Sequence, residues 1–199
     1  MPKVEKKGEV MKVGVFLARM QPMHNGHLEV LKIAEKNNEK VIVLLGSSDK
    51  SREKRNPLHI NLRMNLLKET LEHEFGDDWD KKFEVYPLDD WSHENDFDAR
   101  NEWGYYLYYN IVSRAGIKND FKLYFSDNPA IMLSWFDNVL RDRINFTFLE
   151  REYIEDGISA TKVRKEILDG NLEFVSKSVP KSIFSHVSEI KSDLLASLD

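Results

Sequence analysis

Two continuous apolar runs near the start of the chain constrain its fold more than any other feature. The runs MKVGVFL (11–17) and KVIVLLG (40–46) are short and rich in β-branched residues. Such runs are typical of strands buried on both faces, which occur in parallel sheets covered by helices. A helical pattern over 25–36 separates them, so we predict a strand–helix–strand unit with a right-handed crossover.

The same alternation continues along the chain, with further strands predicted at 82–88, 121–126 and 145–149. Asn-Pro pairs at 56–57 and 128–129 each predict an N-cap followed by proline at the first helical position. Periodic apolar residues then predict buried helix faces, at Leu62, Leu66, Leu67 and Leu71, around 103–113, and at Met132, Trp135, Phe136, Val139 and Leu140. We therefore predict an α/β fold, a Rossmann-like open parallel sheet of about five strands flanked by helices.

The C-terminal part is predicted to be helical. A loop leads into a short helix that ends near Gly170, and one amphipathic helix is predicted over 180–198. Its predicted buried face consists of Ile183, Phe184, Val187, Ile190, Leu194 and Leu195. We divide the chain into an N-terminal extension (1–10), the α/β domain (11–170) and a C-terminal helical segment of the same domain (171–199).

Charge and cysteine content exclude several classes of function. The net charge of −5 argues against a general nucleic-acid-binding protein, although a small anion could still bind in a locally basic cleft. The absence of cysteine excludes disulfides and thiolate chemistry.

Residues 1–10 have no apolar core for a signal peptide, and no run reaches membrane-spanning length. We expect a cytoplasmic protein that does not associate with membranes.

The segment RMQPMHNGH (19–27) joins the first strand to the first helix and suggests a phosphate site. A helix N-terminus presents unpaired N–H groups and the positive end of a dipole, and Gly26 allows close backbone approach. His24 and His27 could then donate to phosphate oxygens. Taken alone, the pattern is more typical of a polar cap with two incidental histidines. A metal pair is possible, but no third ligand is evident nearby.

Two later loops carry cations and follow predicted strands. The loop GSSDKSREKRNP (46–57) contains Arg52, Lys54 and Arg55, and ISATKVR (158–164) offers a capping Ser159 or Thr161 with Arg164 one turn later. Each alone fits a solvated loop or an ordinary cap. Ligands of open α/β sheets bind at the carboxyl ends of the strands, where all these loops could meet. The glycine-rich nucleotide motifs and the nucleophile elbow of hydrolases are absent from the sequence.

Taken together, these segments resemble a known superfamily. RMQPMHNGH is similar to the H-x-G-H signature of the nucleotidylyltransferases, and ISATKVR to their second signature, I-S-x-T-x-x-R. Within that superfamily, the GSS…RNP loop, PLDD, SDNP and ATKVRKEILDG are most similar to archaeal-type nicotinamide-mononucleotide adenylyltransferases. Two departures are evident. Leu62–Arg63 stands where the family usually has Glu-Arg, and 91–103 is longer than its counterpart.

The resemblance implies transfer of AMP from ATP to nicotinamide or nicotinate mononucleotide, with Mg²⁺ bound to the nucleotide and no metal site on the protein. It implies catalytic roles for His24, His27 and Arg164. The implied ATP-binding residues are Phe16, Leu17, Arg19, His24, His27, Ser159, Thr161 and Arg164. The implied residues for the mononucleotide are Arg55, Asn101 and Trp103. Archaeal-type relatives assemble, so a homo-oligomer is expected.

Two alternatives stay open at this point. A sibling nucleotidylyltransferase could act on another phosphate, such as phosphopantetheine, FMN or a CTP-dependent acceptor, and the long 91–103 segment leaves room for it. A non-catalytic nucleotide-sensing module is the second alternative, favoured by Leu62. The choice between nicotinamide and nicotinate is also open.

Overall fold

A computed structural model describes residues 11–90, 97–116, 121–126, 128–149 and 158–198. Its centre is a parallel sheet of five strands in the order β3-β2-β1-β4-β5. The strands are β1 (Val13–Ala18), β2 (Lys40–Leu45), β3 (Phe83–Pro87), β4 (Phe121–Phe125) and β5 (Asn145–Phe148). The chain builds outward from β1 to β3 and then returns to β1's other side, so the strand order reverses between β1 and β4. The predicted open parallel sheet is confirmed.

Helices cover both faces of the sheet. They are α1 (Asn25–Asn37), α2 (Ile60–Phe75), α3 (Phe97–Ala115), α4 (Pro129–Leu133), α5 (Asn138–Arg141), α6 (Ala160–Asp169), α7 (Leu172–Ser178), α8 (Lys181–Ser185) and α9 (Val187–Ala196), with a 3₁₀ turn at Trp79–Lys81. No helix in these described ranges is both long and apolar enough to cross a membrane. The predicted extension at 1–10 lies outside the described residues.

Strand β2 shows why the continuous apolar runs form this sheet. Its residues from Val41 to Leu45 are all fully buried. Val41 and Val43 belong to the core layer that contains residues of α1, α2, α6 and α9, whereas Ile42 and Leu44 belong to the layer beneath α3. Neighbouring side chains therefore point to opposite faces and are buried on both, as the sequence predicted.

One predicted helix start is wrong. Helix α2 begins at Ile60, and its N-cap is His59, whose side chain accepts from the Asn61 N–H at 3.2 Å. The backbone of Asn56 instead exchanges hydrogen bonds with Glu53, which closes the loop before the helix. The second Asn-Pro pair behaves as predicted, because the Asn128 side chain accepts from the Ala130 N–H and caps α4.

Two helices predicted as continuous are divided. Asp137 accepts from the Leu140 N–H at 2.9 Å and starts α5, so the apolar stripe of 132–140 spans two short helices. The last predicted helix is divided into α8 and α9 at His186. Val139 and Leu195, both predicted to be buried, are 55% and 50% exposed.

Candidate active site

A cavity of about 900 Å³ opens at the carboxyl ends of the strands. Residues that follow β1, β2 and β4 line it, together with the start of α6 and one face of α3, at the edge where ligands of open sheets bind. The structure brings nearly all the sequence-predicted site residues to this wall: Phe16, Leu17, Arg19, His24, His27, Arg55, Trp103, Ser159, Thr161 and Arg164. Their roles in binding or catalysis stay predictions.

Asn101 is the exception. It lies on α3 but does not line the cavity, whereas Arg100 and Trp103, three positions apart, both do. Residues three apart on a helix share a face, so Arg100 is the neighbour that the sequence analysis missed. The cavity geometry gives no support to a substrate contact from Asn101.

The two histidines of the first loop form a stacked pair at the start of α1. His24 is the N-cap, and its ring centroid lies 3.8 Å from that of His27. The Nδ1 atom of His27 accepts from the His24 backbone N–H at 3.2 Å, which leaves the proton of a neutral ring on Nε2. Burial, and then the neighbouring His24, lowers the pKa of His27 well below its ordinary value. His27 is therefore a neutral hydrogen-bond donor in the cavity wall.

Arg164 joins the third loop to the first. Its Nη1 donates to the Gln21 backbone oxygen at 2.7 Å, and its Nη2 donates to the Thr161 hydroxyl at 3.2 Å. Burial, and then the positive charge of Arg19, lowers the pKa of Arg164. The Ser159 Oγ accepts from the Lys162 N–H and caps α6, and the first residues of this helix, Ala160 and Thr161, line the cavity.

Gln21 also fastens the second loop. Its buried side chain accepts from the Leu58 N–H at 2.8 Å and donates to the Leu58 oxygen at 3.4 Å. Within this second loop Arg55 lines the cavity, whereas Arg52 and Lys54 are exposed and do not. Arg55 is exposed as well, so all three cations are solvated, and Arg55 alone of the three also borders the cavity.

Two tryptophans also line the cavity, Trp103 from α3 and Trp135 from the turn between α4 and α5. The rings of Trp103 and Trp135 meet edge to face at 6.0 Å, and both line the wall. Gly104 permits this contact, because a Cβ at that position would lie 1.8 Å from the Trp135 backbone oxygen. Periodicity had assigned Trp135 to a helix core, since a helical apolar stripe does not distinguish the protein interior from a cavity wall.

The charge of the cavity is opposite to that of the whole chain. Arginines at positions 19, 55, 100 and 164 line it, and Asp90 carries the only carboxylate among the described lining residues. That carboxylate is paired with Lys50 at 2.8 Å. A basic cavity with a helix N-terminus and an aromatic end suits an anionic ligand that also carries a planar ring.

The fold and the cavity together define an α/β protein built to hold a phosphorylated ligand at the strand ends. The chain belongs to the cytidylyltransferase-like family, whose model matches residues 15–166. Similar curated proteins are called nicotinamide-nucleotide adenylyltransferase. The protein of Thermococcus onnurineus is 30% identical over 90% of this chain and 84% of its own length. That of Saccharolobus solfataricus is 26% identical over 92% and 94%.

A solved structure with a similar fold comes from Francisella tularensis. It is a bifunctional NMN adenylyltransferase/ADP ribose pyrophosphatase complexed with AMP and a manganese ion, with a TM-score of 0.67 and 21% identity. The match covers 94% of this chain, which spans about half (52%) of that protein. This likeness supports the fold.

Proposed function

We propose that this protein transfers AMP from ATP to nicotinamide mononucleotide, which gives NAD and pyrophosphate. One observation carries the proposal. The H-x-G-H segment and the I-S-x-T-x-x-R segment lie on one cavity, and Arg164 of the second donates to Gln21 of the first at 2.7 Å. Relatives that match most of the chain bear the name of this activity. Their shared name favours nicotinamide over nicotinate as the base.

The reaction needs alignment and charge neutralisation more than a protein nucleophile. An oxygen of the mononucleotide phosphate attacks the α-phosphorus of ATP. A new P–O bond forms, the bond to the β-phosphate oxygen breaks, and pyrophosphate leaves. The attacking phosphate is already anionic near neutral pH, so no strong general base is required. Holding the two polyanions in line supplies much of the rate increase.

We assign the phosphates to the basic half of the cavity. His27, a neutral donor with its proton on Nε2, suits the phosphate group undergoing transfer, because negative charge develops there. Arg164, Thr161 and the N-terminus of α6 suit the departing pyrophosphate, and Arg19 and His24 the remaining phosphate oxygens. Phe16 and Leu17, at the end of β1, would contact adenosine.

We assign the acceptor nucleotide to the tryptophan end. A pyridine ring can stack on Trp103 or Trp135, and a ring–ring contact of this kind contributes about 0.5–1.5 kcal/mol beyond its area burial. Arg55 or Arg100 would then bind the acceptor's phosphate. In this proposed order the acceptor phosphate would lie between the tryptophans and the histidines, next to the α-phosphorus that it attacks.

Magnesium fits this cavity as part of the nucleotide. No group of three or more metal-ligating side chains occurs in the described ranges, and Asp90 is engaged with Lys50. Phosphate oxygens and water would supply most ligands of Mg²⁺, which neutralises phosphate charge. A cytoplasmic location and a homo-oligomeric state stay predictions.

The decisive experiment measures pyrophosphate release from ATP or CTP, with Mg²⁺, in the presence of nicotinamide mononucleotide, nicotinate mononucleotide, phosphopantetheine, FMN or no acceptor. ATP binding is measured in parallel by calorimetry. We expect release from ATP with nicotinamide mononucleotide, matched by an equal amount of NAD. Release only with phosphopantetheine or FMN, or only from CTP, would identify a sibling transferase. ATP binding without release for any acceptor would identify a nucleotide-sensing module.

A further inference from the structure

Arg63 lies on α2, behind the loops that line the cavity, and it is only 1% exposed. It is the largest of the fully buried side chains in the described structure. Burying a guanidinium is unfavourable unless its donors are satisfied by partners inside the protein. An arginine in this position therefore needs a structural or functional explanation.

The partners of Arg63 all belong to the loops that form the cavity. Nη1 donates to the backbone oxygens of Arg19 and Gly46, each at 2.8 Å, and Nη2 donates to that of Ser47 at 2.9 Å. Arg19 follows β1, and Gly46 and Ser47 follow β2. One planar group thus joins the carboxyl ends of two neighbouring strands.

Both loops turn sharply at this point. Met20, directly after Arg19, has φ of 50°, and Ser47, directly after Gly46, has φ of 51°. A residue other than glycine costs roughly 1–2 kcal/mol in this left-handed region. Arg63 binds the backbone at or just before each of these residues, so its hydrogen bonds offset the cost of the turns.

The charge of Arg63 persists although it is buried. Burial, and then the nearby Arg19, lowers the pKa of Arg63 to about 10, and the negative charge of Asp90 opposes the shift. The group is therefore protonated at neutral pH. Its Nε–H has no hydrogen-bond partner among the described residues, so packing and hydrogen bonding alone do not explain a guanidinium here.

We propose that Arg63 is a positioning residue for the adenylyl transfer: it fixes Arg19 and the Gly46–Ser47 turn so that the phosphate-binding wall is formed before ATP arrives. This inference rests on the proposed function and deepens it. Arg63 does not line the cavity, so it acts through Arg19 and the second loop. Pre-formed geometry lowers the ordering cost of binding and of reaction.

The test replaces Arg63 with lysine and with methionine. Arg63→Lys keeps the charge and most of the volume, but one ammonium lacks the planar fork that reaches all these oxygens. We expect kcat/KM for ATP to fall about 10–100-fold in Arg63→Lys. The matched control is Thr70→Ala, two turns along α2, where a buried hydroxyl contacts Leu66 and Ser182. It should lower Tm but change kcat/KM by less than about 2-fold.

A double-mutant cycle separates positioning from a general loss of structure. If Arg63 acts through Arg19, adding Arg63→Lys to Arg19→Ala should cost less than about 3-fold more in kcat/KM. Fully multiplicative effects, or an unchanged kcat/KM in Arg63→Lys, would overturn the proposal. If Arg63→Met does not fold, as judged by circular dichroism, Arg63→Lys decides.

Calorimetric titration with ATP keeps this test independent of the proposed function. Weaker ATP binding in Arg63→Lys but not in Thr70→Ala supports positioning even if the wild type releases no pyrophosphate. Equal ATP affinity in the wild type and in Arg63→Lys contradicts it. Absence of turnover in the wild type with intact ATP binding, by contrast, counts only against the transferase activity.

Discussion

The guanidinium of Arg164 lies 2.7 Å from the backbone oxygen of Gln21, although 143 positions separate the two residues in the chain. The side chain of Gln21 in turn binds both backbone groups of Leu58. Gln21 therefore connects the three loops that the sequence analysis had weighed one by one. Their juxtaposition turns three ambiguous segments into one basic cavity.

Replacing His27 by alanine should lower kcat on the order of 10²-fold, with a much smaller change in KM for ATP. If the imidazole donates to charge that develops in the transition state, as proposed, its loss affects turnover more than binding. Steady-state kinetics with ATP and nicotinamide mononucleotide measure this. His73→Ala, on the exposed face of α2, is the control. An unchanged kcat in His27→Ala would contradict the assigned role.

Replacing Trp103 by alanine should chiefly raise KM for the mononucleotide, by about 10-fold, through lost stacking. The KM for ATP should change little, because ATP is assigned to the opposite half of the cavity. Tyr109→Ala is a suitable control, since this aromatic residue on the same helix is 73% exposed and does not line the cavity. A change confined to the KM for ATP would show that Trp103 belongs to the ATP site instead.

Replacing Gly104 by alanine should destabilise the protein by about 1–3 kcal/mol. The added Cβ would meet the Trp135 backbone oxygen at 1.8 Å, which forces α3 and the α4–α5 turn apart. The sign of the change in unfolding free energy tests the contact, because replacing glycine by alanine in an unobstructed helix stabilises by roughly 0.5–1 kcal/mol. Chemical denaturation measures the change, with Ser113→Ala, exposed on α3, as the control. Unchanged or increased stability would contradict the close packing.

The imidazole of His186 should make stability depend on pH. Burial opposes its charge, but hydrogen bonds to Glu69 at 2.7 Å and Glu189 at 3.2 Å outweigh this and raise the pKa of His186. A raised pKa stabilises the fold below the unfolded value of about 6.5, and this contribution is lost as pH rises through the folded pKa. The Tm difference between wild type and His186→Gln should therefore be larger at about pH 5.5 than at about pH 8.5.

Glu69→Gln provides the companion variant for this ion pair. It removes the carboxylate on α2 that binds His186, so it should lower Tm most at about pH 5.5. The double variant should lower Tm by less than the sum of the two single variants. A Tm difference that is equal at both pH values would refute the ionic link between α2 and the α8–α9 junction.

The sequence predicted those elements whose cause lies in neighbouring residues, namely the buried strands and the loops that follow β1 and precede α6. Buried strands produce continuous apolar runs, and the signature loops follow β1 and precede α6 where the sequence placed them. The errors arose at residues whose conformation or burial depends on partners elsewhere in the chain or in the fold. Asn56 is a residue type that favours the N-cap, but its backbone N–H and C=O form hydrogen bonds with Glu53 instead. Arg63 would be expected at the surface by its charge, yet it is buried because its partners come from the ends of two strands.

The cavity wall was harder to predict than the phosphate loops for the same reason. Trp135 belongs to an apolar stripe, and Arg100 belongs to a segment longer than its counterpart in the resembled family. Neither position carries a local signal of ligand contact. The close approach of Gly104 to the Trp135 backbone, together with the edge-to-face contact of the two tryptophans, brings α3 and the α4–α5 turn to the same wall.

The strand order links ligand binding to the stability of the fold. Strands β1 and β4 are neighbours in the sheet although about a hundred residues separate them, and the cavity lies across their ends. A ligand can bind there only when β1 and β4 are paired, that is, only to the folded chain. Nucleotide bound there would act by mass action on the folding equilibrium, and at a hundred times its Kd it would add about 2.7 kcal/mol to the stability of the folded protein. The concentration of its own substrate would then help to set how long the protein survives in the cell.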